Sequence, residues 1–325
     1  PRGIRFRVEL PDGAARGYNP AKRGRASHHP LMAFVADTRM IANCWLRPGN
    51  SSSAHNVQAF LANTLHRLGD KQVCLLRADS GFADSTFLDH LDTQPMHYIV
   101  ALRQNQPLQR ALVNAEGWWV LHDEQGKPVP GIELTRFRYQ PEAWSTPRWV
   151  IGIRQHIEQR VAPKGKTLNL FADDPVIGQW RFSALVTDLD LSATVIWRMY
   201  RGRADCENRI KELKYDFAAD SFCMKDFWAT EATLNTVMLA YNLMSLLRQV
   251  LLKTSAVKHS SISVQHTLQT LRYKLFAKPA YITTESRKPI LHLAVAMQQR
   301  AWVQGLWDAS KTFDLPAKFT PIYSP

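Results

Sequence analysis

Between Ser51 and Leu102 the hydrophobic spacing switches repeatedly between helical and strand periods, and this alternation limits the fold more than any other feature of the chain. Val57, Phe60, Leu61, Thr64, Leu65 and Leu68 recur at helical spacing. With Ser51 to Ser53 as N-cap candidates and Gly69 as a stop, a helix is predicted over Ser51 to Leu68. Gln72 to Arg77 (QVCLLR) then reads as a buried strand running into Ala78-Asp79-Ser80-Gly81-Phe82. A helix at Ser85 to Leu91 and a strand at His97 to Leu102 follow. Upstream, Ile4 to Leu10 alternates loosely as a strand and leads into a basic loop broken by Gly13, Gly17, Asn19, Pro20 and Gly24. Pro30 to Ala36 (PLMAFVA) and Ile41 to Leu46 pair as an antiparallel hairpin across Asp37 to Met40. Strands interleaved with helices specify an α/β core, in which sites commonly lie at the carboxyl ends of strands.

The texture changes after that core. From about Gln109 to Trp180 short alternating stretches, Ile132 to Tyr139 and Arg148 to Arg154, are broken by Pro128, Pro130, Pro141, Pro147 and Pro163, as expected of an inserted β-rich subdomain. Arg181 to Thr187 (RFSALVT) reads as a strand and Ala193 to Phe217 as one long helix. The expected organisation is an α/β core in two parts, 1–108 and 181–255, around an insertion at 109–180 and before a C-terminal region at 256–325. The most apolar helix, Ala232 to Lys253, carries Asn235, Asn242, Arg248 and Gln249, so it reads as a core helix and no membrane span is expected.

Charge indicates the partner. Lys and Arg number 41 against 28 Asp and Glu, a formal net charge of +13, which favours a polyanion and above all nucleic acid. Cys44, Cys74, Cys206 and Cys223 are scattered without a C-x-x-C pair, so neither a zinc site nor a disulfide framework is indicated, and a reducing cytoplasm fits. No secretory leader precedes Pro1, and the natural N-terminus is expected to lie upstream.

The densest chemistry is the run Tyr200-Arg-Gly-Arg203-Ala-Asp-Cys-Glu207-Asn-Arg-Ile-Lys211-Glu-Leu-Lys214. On one continuous helix Tyr200, Arg203, Glu207, Lys211 and Lys214 would share an arc of roughly 80°, one carboxylate among cations. Met199, Cys206, Ile210, Leu213 and Phe217 would form the adjacent apolar stripe. A solvated helix with ordinary ion pairs is the bland alternative. Asp79, taken alone, is equally compatible with a strand-ending Asx turn.

Tyr, two residues, Arg, three residues, Glu, six residues, Lys is the YREK signature of a large group of DDE transposases, and the chain resembles the branch called DDE domain group 1. The resemblance runs through Gly17-Tyr-Asn-Pro20 with Lys22-Arg-Gly-Arg25, His28-His-Pro-Leu31, Arg47-Pro-Gly-Asn50, Ala78-Asp-Ser-Gly-Phe82, Thr187-Asp188, the signature itself and Ala240-Tyr-Asn-Leu243. It implies an RNase H-like core with a mixed sheet, a β-rich insertion and C-terminal helices. It further implies metal-dependent cleavage of double-stranded DNA at insertion-sequence ends with strand transfer into target DNA, inside a bacterial cytoplasm at the nucleoid. Asp79 and Glu207 would be the second and third catalytic carboxylates, ligands of two Mg²⁺ or Mn²⁺ ions. Arg203, Lys211 and Lys214 would hold transposon-end DNA with Tyr200 supporting them, and Lys22, Arg23 and Arg25 would extend the cationic track. A homo-oligomer on DNA is compatible with this reading.

Counting back from Gly17, the family's first catalytic Asp falls at or just before Pro1, which is not an acid. Glu9 and Asp12 lie near, but Asp12 aligns with a turn acid after the first strand. The chain is therefore expected to be catalytically crippled, and a DNA-binding remnant or a nuclease without strand transfer are the competing readings. Trp118, Trp119, Trp144, Trp149 and Trp180 cluster in or near the insertion, where stacking on a base competes with an ordinary core role. His28 and His29 read as loop histidines within reach of phosphate.

Overall fold

The computed structural model describes residues 11–17, 19, 23–157, 179–222, 224–254 and 267–312. Along the chain, a two-residue ladder of β1 (Ala15–Arg16) and β2 (Ala26–Ser27) precedes the expected hairpin, β3 (Leu31–Val35) with β4 (Met40–Trp45). Then come α1 (Val57–Leu68), β5 (Leu75–Ala78), α2 (Ser85–Asp92), β6 (His97–Ala101) and α3 (Gln106–Val113). Four strands follow, β7 (Trp119–His122), β8 (Pro128–Tyr139), β9 (Arg148–His156) and β10 (Trp180–Thr187). The rest is mainly helical: α4 (Ala193–Arg201), α5 (Ala204–Asp216), α6 (Phe227–Thr254), the short α7 (Leu268–Leu271), a hairpin of β11 (Ala280–Glu285) with β12 (Lys288–Leu293), and α8 (Met297–Thr312). The predicted strand at Ile4 to Leu10, the residues Lys22 and Cys223, and most of the stretch after β9 lie outside the described residues.

The chain divides into two compact units. The first comprises Gly13–Ala33 and Trp45–Asp205. Its centre is a six-stranded sheet in the order β5-β6-β10-β9-β8-β7. β5 and β6 are parallel and every other neighbour is antiparallel, so the sheet is mixed. Alternation along each strand sends side chains to opposite faces. On one face Tyr98, Val100, Val150, Ala184 and Val186 pack with Leu61 of α1, Phe87, Leu88 and Leu91 of α2, and Leu108 and Leu112 of α3. On the other, Ile99, Ile151, Ile153 and Leu185 meet Ala193 and Ile196 of α4. Each fully buried aliphatic contributes about 1.5–3 kcal/mol relative to exposure, which makes this double-faced burial the main source of the unit's stability. The α/β class with a mixed sheet, expected on the RNase H-like resemblance, is met by this sheet flanked by helices. The strands drawn from 109–180 pair continuously into it: β9 matches β10 from Trp149↔Thr187 to His156↔Trp180.

Two predicted helices have other limits. The first begins at Val57 rather than Ser51, because the carbonyls of Ser52 and His55 are taken by the Arg47 guanidinium and Asn56 sits at φ 59°, in the left-handed region. The long helix expected over Ala193 to Phe217 is two helices, α4 and α5. At the break the Arg203 N–H donates to the Tyr200 carbonyl and the Asp205 N–H to the Gly202 carbonyl, tight turns that interrupt the four-residue ladder.

The second unit comprises Phe34–Cys44 and the chain from Cys206 onward. Its core holds a buried charge cluster. Glu212 of α5 accepts from Arg209 Nη1 at 2.9 Å, Arg248 Nη1 at 3.2 Å, Tyr241 OH at 3.4 Å and the Leu268 N–H at 3.3 Å. Asn242 of α6 takes the Ile41 N–H on its Oδ1 at 2.7 Å and donates to the Ile41 carbonyl at 2.9 Å, fastening β4 to the helix. Burial, with Glu231 nearby, pushes the Cys44 thiol up to about 12, so it behaves as a core residue. Among the described residues no helix is long and apolar enough to cross a membrane.

Candidate functional site

Asp79 stands one residue past the carboxyl end of β5, in extended backbone, and caps a single 3₁₀ turn over Ser80–Phe82. Its Oδ1 accepts the Gly81 N–H at 3.0 Å. Its Oδ2 takes no hydrogen bond among the described residues, and the side chain is half-buried. The acid is thus pinned by one oxygen with the other left to engage a ligand. Both readings of Asp79 from sequence describe it: an Asx-type cap by geometry, a strand-end carboxylate by position.

The turn is packed from one side by the segment after β4. A side chain at position 81 has no room, because a Cβ there would lie 2.6 Å from Ser53 Oγ, 2.9 Å from Ser53 Cβ and 3.1 Å from Asp79 Oδ1. Ser53 belongs to the loop that Arg47 gathers, and Gly49 in the same loop approaches Ala15 O to 2.5 Å from where its Cβ would be. Gly17 and Gly49 also pack backbone to backbone. His29 takes part in holding the loop: its N–H donates to the Arg47 carbonyl at 2.8 Å and its Nδ1 lies 3.2 Å from the Ser51 carbonyl. Four of the segments that carry the resemblance, at Gly17, His28–His29, Arg47–Asn50 and Asp79–Phe82, are therefore neighbours in one unit.

A second tie runs along β5. Arg77, two residues before Asp79, donates Nη1 to the Met199 carbonyl at 2.7 Å. That carbonyl is in the last turn of α4, where a cation also complements the helix dipole. The guanidinium lies where a Cβ on Gly202 would be, which accounts for glycine at this helix end. The same turn carries Tyr200, whose hydroxyl accepts from Arg203 Nε at 3.1 Å while the guanidinium lies 5.7 Å from the ring centroid. The structure therefore places Asp79 and the Tyr200–Arg203 pair at the two ends of one short linkage.

The break after α4 corrects the single-face arrangement drawn from the sequence. Tyr200 and Arg203 precede the start of α5, and only Glu207, Lys211 and Lys214 share a face of it at i, i+4 and i+7. Those three are exposed. The buried face of α5 is instead Arg209, Glu212 and Leu213, so the expected apolar stripe contributes Leu213 while two charged residues share the interior. Arg23 and Arg25 are exposed between β1 and β2. Lys22 lies outside the described residues.

Other predicted features resolve into structural roles. Asp188 accepts the Tyr98 N–H at 2.8 Å and lies 2.6 Å from His97 Nδ1, while Thr187 Oγ1 donates to the Tyr98 carbonyl, so Thr187-Asp188 locks β10 to β6. Trp144 is a core residue. Trp149 stacks under Arg136 and Arg138 at 3.7 and 4.9 Å, and Trp118 and Trp180 flank Arg154 at 4.5 and 4.7 Å. Trp119 is exposed at the sheet edge. Sequence reasoning offered Ser53 only as an N-cap candidate, placed Arg47 only within the Arg47-Pro-Gly-Asn50 landmark and Arg77 only at the end of a strand; none was singled out as a site residue.

A hard divalent cation needs several oxygen ligands. The donor chemistry of Asp79 fits one such ligand, with an oxygen free and a turn that fixes its direction. Among the described residues, no group of three or more His, Cys, Asp or Glu side chains converges in a way that could hold an ion. The described residues thus fit a contribution to a metal site, not a complete one.

A family model described as transposase DDE domain group 1 matches residues 18–309. Among solved structures, the chain resembles the piggyBac transposase in its synaptic complex with hairpin DNA, with 11% identity and a TM-score of 0.42 over 94% of this chain. It spans 55% of that transposase chain. Comparison with curated proteins finds no match.

Proposed function

Because the chain belongs to the transposase DDE domain family, group 1, whose members generally use divalent metal ions, we propose that it cuts the ends of an insertion sequence and joins the freed 3′ ends to target DNA. Asp79 and Glu207 are its metal-binding carboxylates in this reading, and Mg²⁺ or Mn²⁺ the cofactor. When bound, two such ions would supply activation of a water or 3′-hydroxyl and stabilisation of the leaving oxygen at phosphorus. The observation that carries the proposal is the Asp79 turn: a carboxylate at a strand end, pinned through one oxygen and joined through Arg77 to the turn bearing Tyr200 and Arg203.

The protein's own side chains then divide the work. Arg203, oriented by Tyr200, presents a planar fork suited to a phosphodiester, whereas exposed Lys211 and Lys214 act as point charges. Exposed Arg23 and Arg25, with Lys22, extend the cationic track, and the net charge of +13 supports a long DNA contact. The site of action is the bacterial nucleoid, and pairing of two element ends is compatible with a homo-oligomer on DNA.

A cleavage and strand-transfer assay on DNA carrying the element's paired ends, with Mg²⁺, tests the proposal. Asp79→Asn and Glu207→Gln are each expected to lower cleavage by at least about a hundredfold, since each removes positioning and charge stabilisation together. Wild-type rates from either variant would refute the assignment. Cleavage without joining would leave a nuclease, and DNA binding without cleavage a remnant.

A further inference from the structure

Arg47 is 4% exposed, yet among the described residues its guanidinium meets no carboxylate. It donates Nε to the His29 carbonyl at 3.2 Å and Nη1 to the carbonyls of Ser52 at 3.0 Å and His55 at 2.8 Å, with the Ser53 carbonyl at 3.5 Å. Burial lowers its pKa, the mark of a charge held away from water without an opposing one. Removing a cation from water is costly, and neutral donors could satisfy carbonyls at a smaller penalty. What a guanidinium offers in exchange is geometry: a rigid planar fork that draws several carbonyls to one point.

Those carbonyls belong to the loop that would otherwise begin α1. Gathering them holds Ser53 outside the helix and against Gly81, where its Oγ and Cβ fill the space a side chain at 81 would need. The Gly81 N–H is the group that pins Asp79 Oδ1. Force on the loop is therefore transmitted by direct contact from Arg47 through Ser53 and Gly81 to the carboxylate.

We infer that Arg47 is a positioning residue for Asp79, fixing the direction of its carboxylate through Ser53 and Gly81. The inference rests on the ligand role proposed for Asp79. It explains a buried charge at the head of Arg47-Pro-Gly-Asn50 that strand packing alone does not require, and it makes Ser53 and Gly81 parts of the same device. Arg47 itself touches neither DNA nor metal in this role.

Two readouts on the full protein test it, hydrogen exchange of the peptide spanning residues 79–84 and the Mn²⁺ affinity read by electron paramagnetic resonance. Ser53→Ala keeps the fold and removes the hydroxyl contact; Arg47→Lys keeps the charge and removes the fork. Both should speed exchange across 79–84 by about tenfold or more while α2 and β6 keep wild-type protection. Both should also weaken Mn²⁺ binding by about tenfold, as a misplaced ligand does, with Arg47→Met weaker than Arg47→Lys. Unchanged exchange in Ser53→Ala and Arg47→Lys overturns the inference, and so does faster exchange with wild-type Mn²⁺ affinity. Asp79→Asn separates the two levels. Loss of Mn²⁺ binding in Asp79→Asn with wild-type behaviour of the other variants removes the positioning role alone, whereas wild-type Mn²⁺ affinity in Asp79→Asn removes the ligand role and the inference with it.

Discussion

Replacing Glu212 by Gln would remove the carboxylate that Arg209 and Arg248 share in the interior of the second unit. Arg209 is 8% exposed and Arg248 2%, and Glu212 accepts from both. Deleting one member of such a buried set typically costs about 3–5 kcal/mol, because the remaining charges stay desolvated and lose a counter-charge. Gln retains the shape and one acceptor oxygen, so the lower end applies. Asp216 provides partial relief: burial raises its pKa, Glu212 raises it further, and Arg272 and Arg248 oppose the rise, so loss of the Glu212 charge favours its ionised form. The expected destabilisation is about 3 kcal/mol, measured as a lower urea midpoint at unchanged slope. Replacing Glu212, Arg209 and Arg248 together by apolar residues of similar volume should recover most of it, since the desolvation penalty leaves with the charges. A Glu212→Gln protein within about 1 kcal/mol of wild type would refute the reasoning, by showing that the arginines are adequately solvated or paired without Glu212.

Two further outcomes follow from the charged groups of the structure. Lys214→Ala should weaken DNA binding evenly across sequences and reduce the slope of log affinity against log salt by about one, and an unchanged slope in the titration would exclude a phosphate contact. Asp89 is held below the usual carboxyl range by hydrogen bonds from Ser145 and then from Arg148; with a depressed folded-state pKa its contribution is full above about pH 3.9 and is lost as pH falls through the folded value. The stability gap between wild type and Asp89→Asn should accordingly close on acidification below pH about 4, and a gap that widened there would show the sign to be wrong.

The elements that sequence defined best are those whose periodicity survives local interference. The limits of α2, β6 and β9 fall close to those read from spacing, because their apolar residues meet a sheet face at every second position or a helix stripe at every third or fourth, whereas β8 starts four residues earlier than expected and takes Pro128 and Pro130 into the strand. The pattern failed where a distant side chain took over backbone groups. Arg47 claims carbonyls that would have started α1 six residues earlier, and the turn at Gly202 and Arg203, with Arg77 on the Met199 carbonyl, divides one periodic run into α4 and α5. Burial of Glu212 was equally hidden. A Glu three residues after an Arg reads as a surface pair, and only the arrival of Tyr241 and Arg248 from α6 puts it in the interior. Asp79 was legible as a strand-end carboxylate because that position is local, but Ser53 and Arg47, on the segment packed against its turn, are joined to it only by folding.

The central claim, that Asp79 and Glu207 bind the same divalent ions, is tested most directly by anomalous scattering from crystals of the protein with Mn²⁺ and element-end DNA. Manganese density should contact both carboxylates, whose oxygens then lie within about 8 Å of one another. Carboxylates more than about 12 Å apart, or manganese bound to one and not the other, would contradict it.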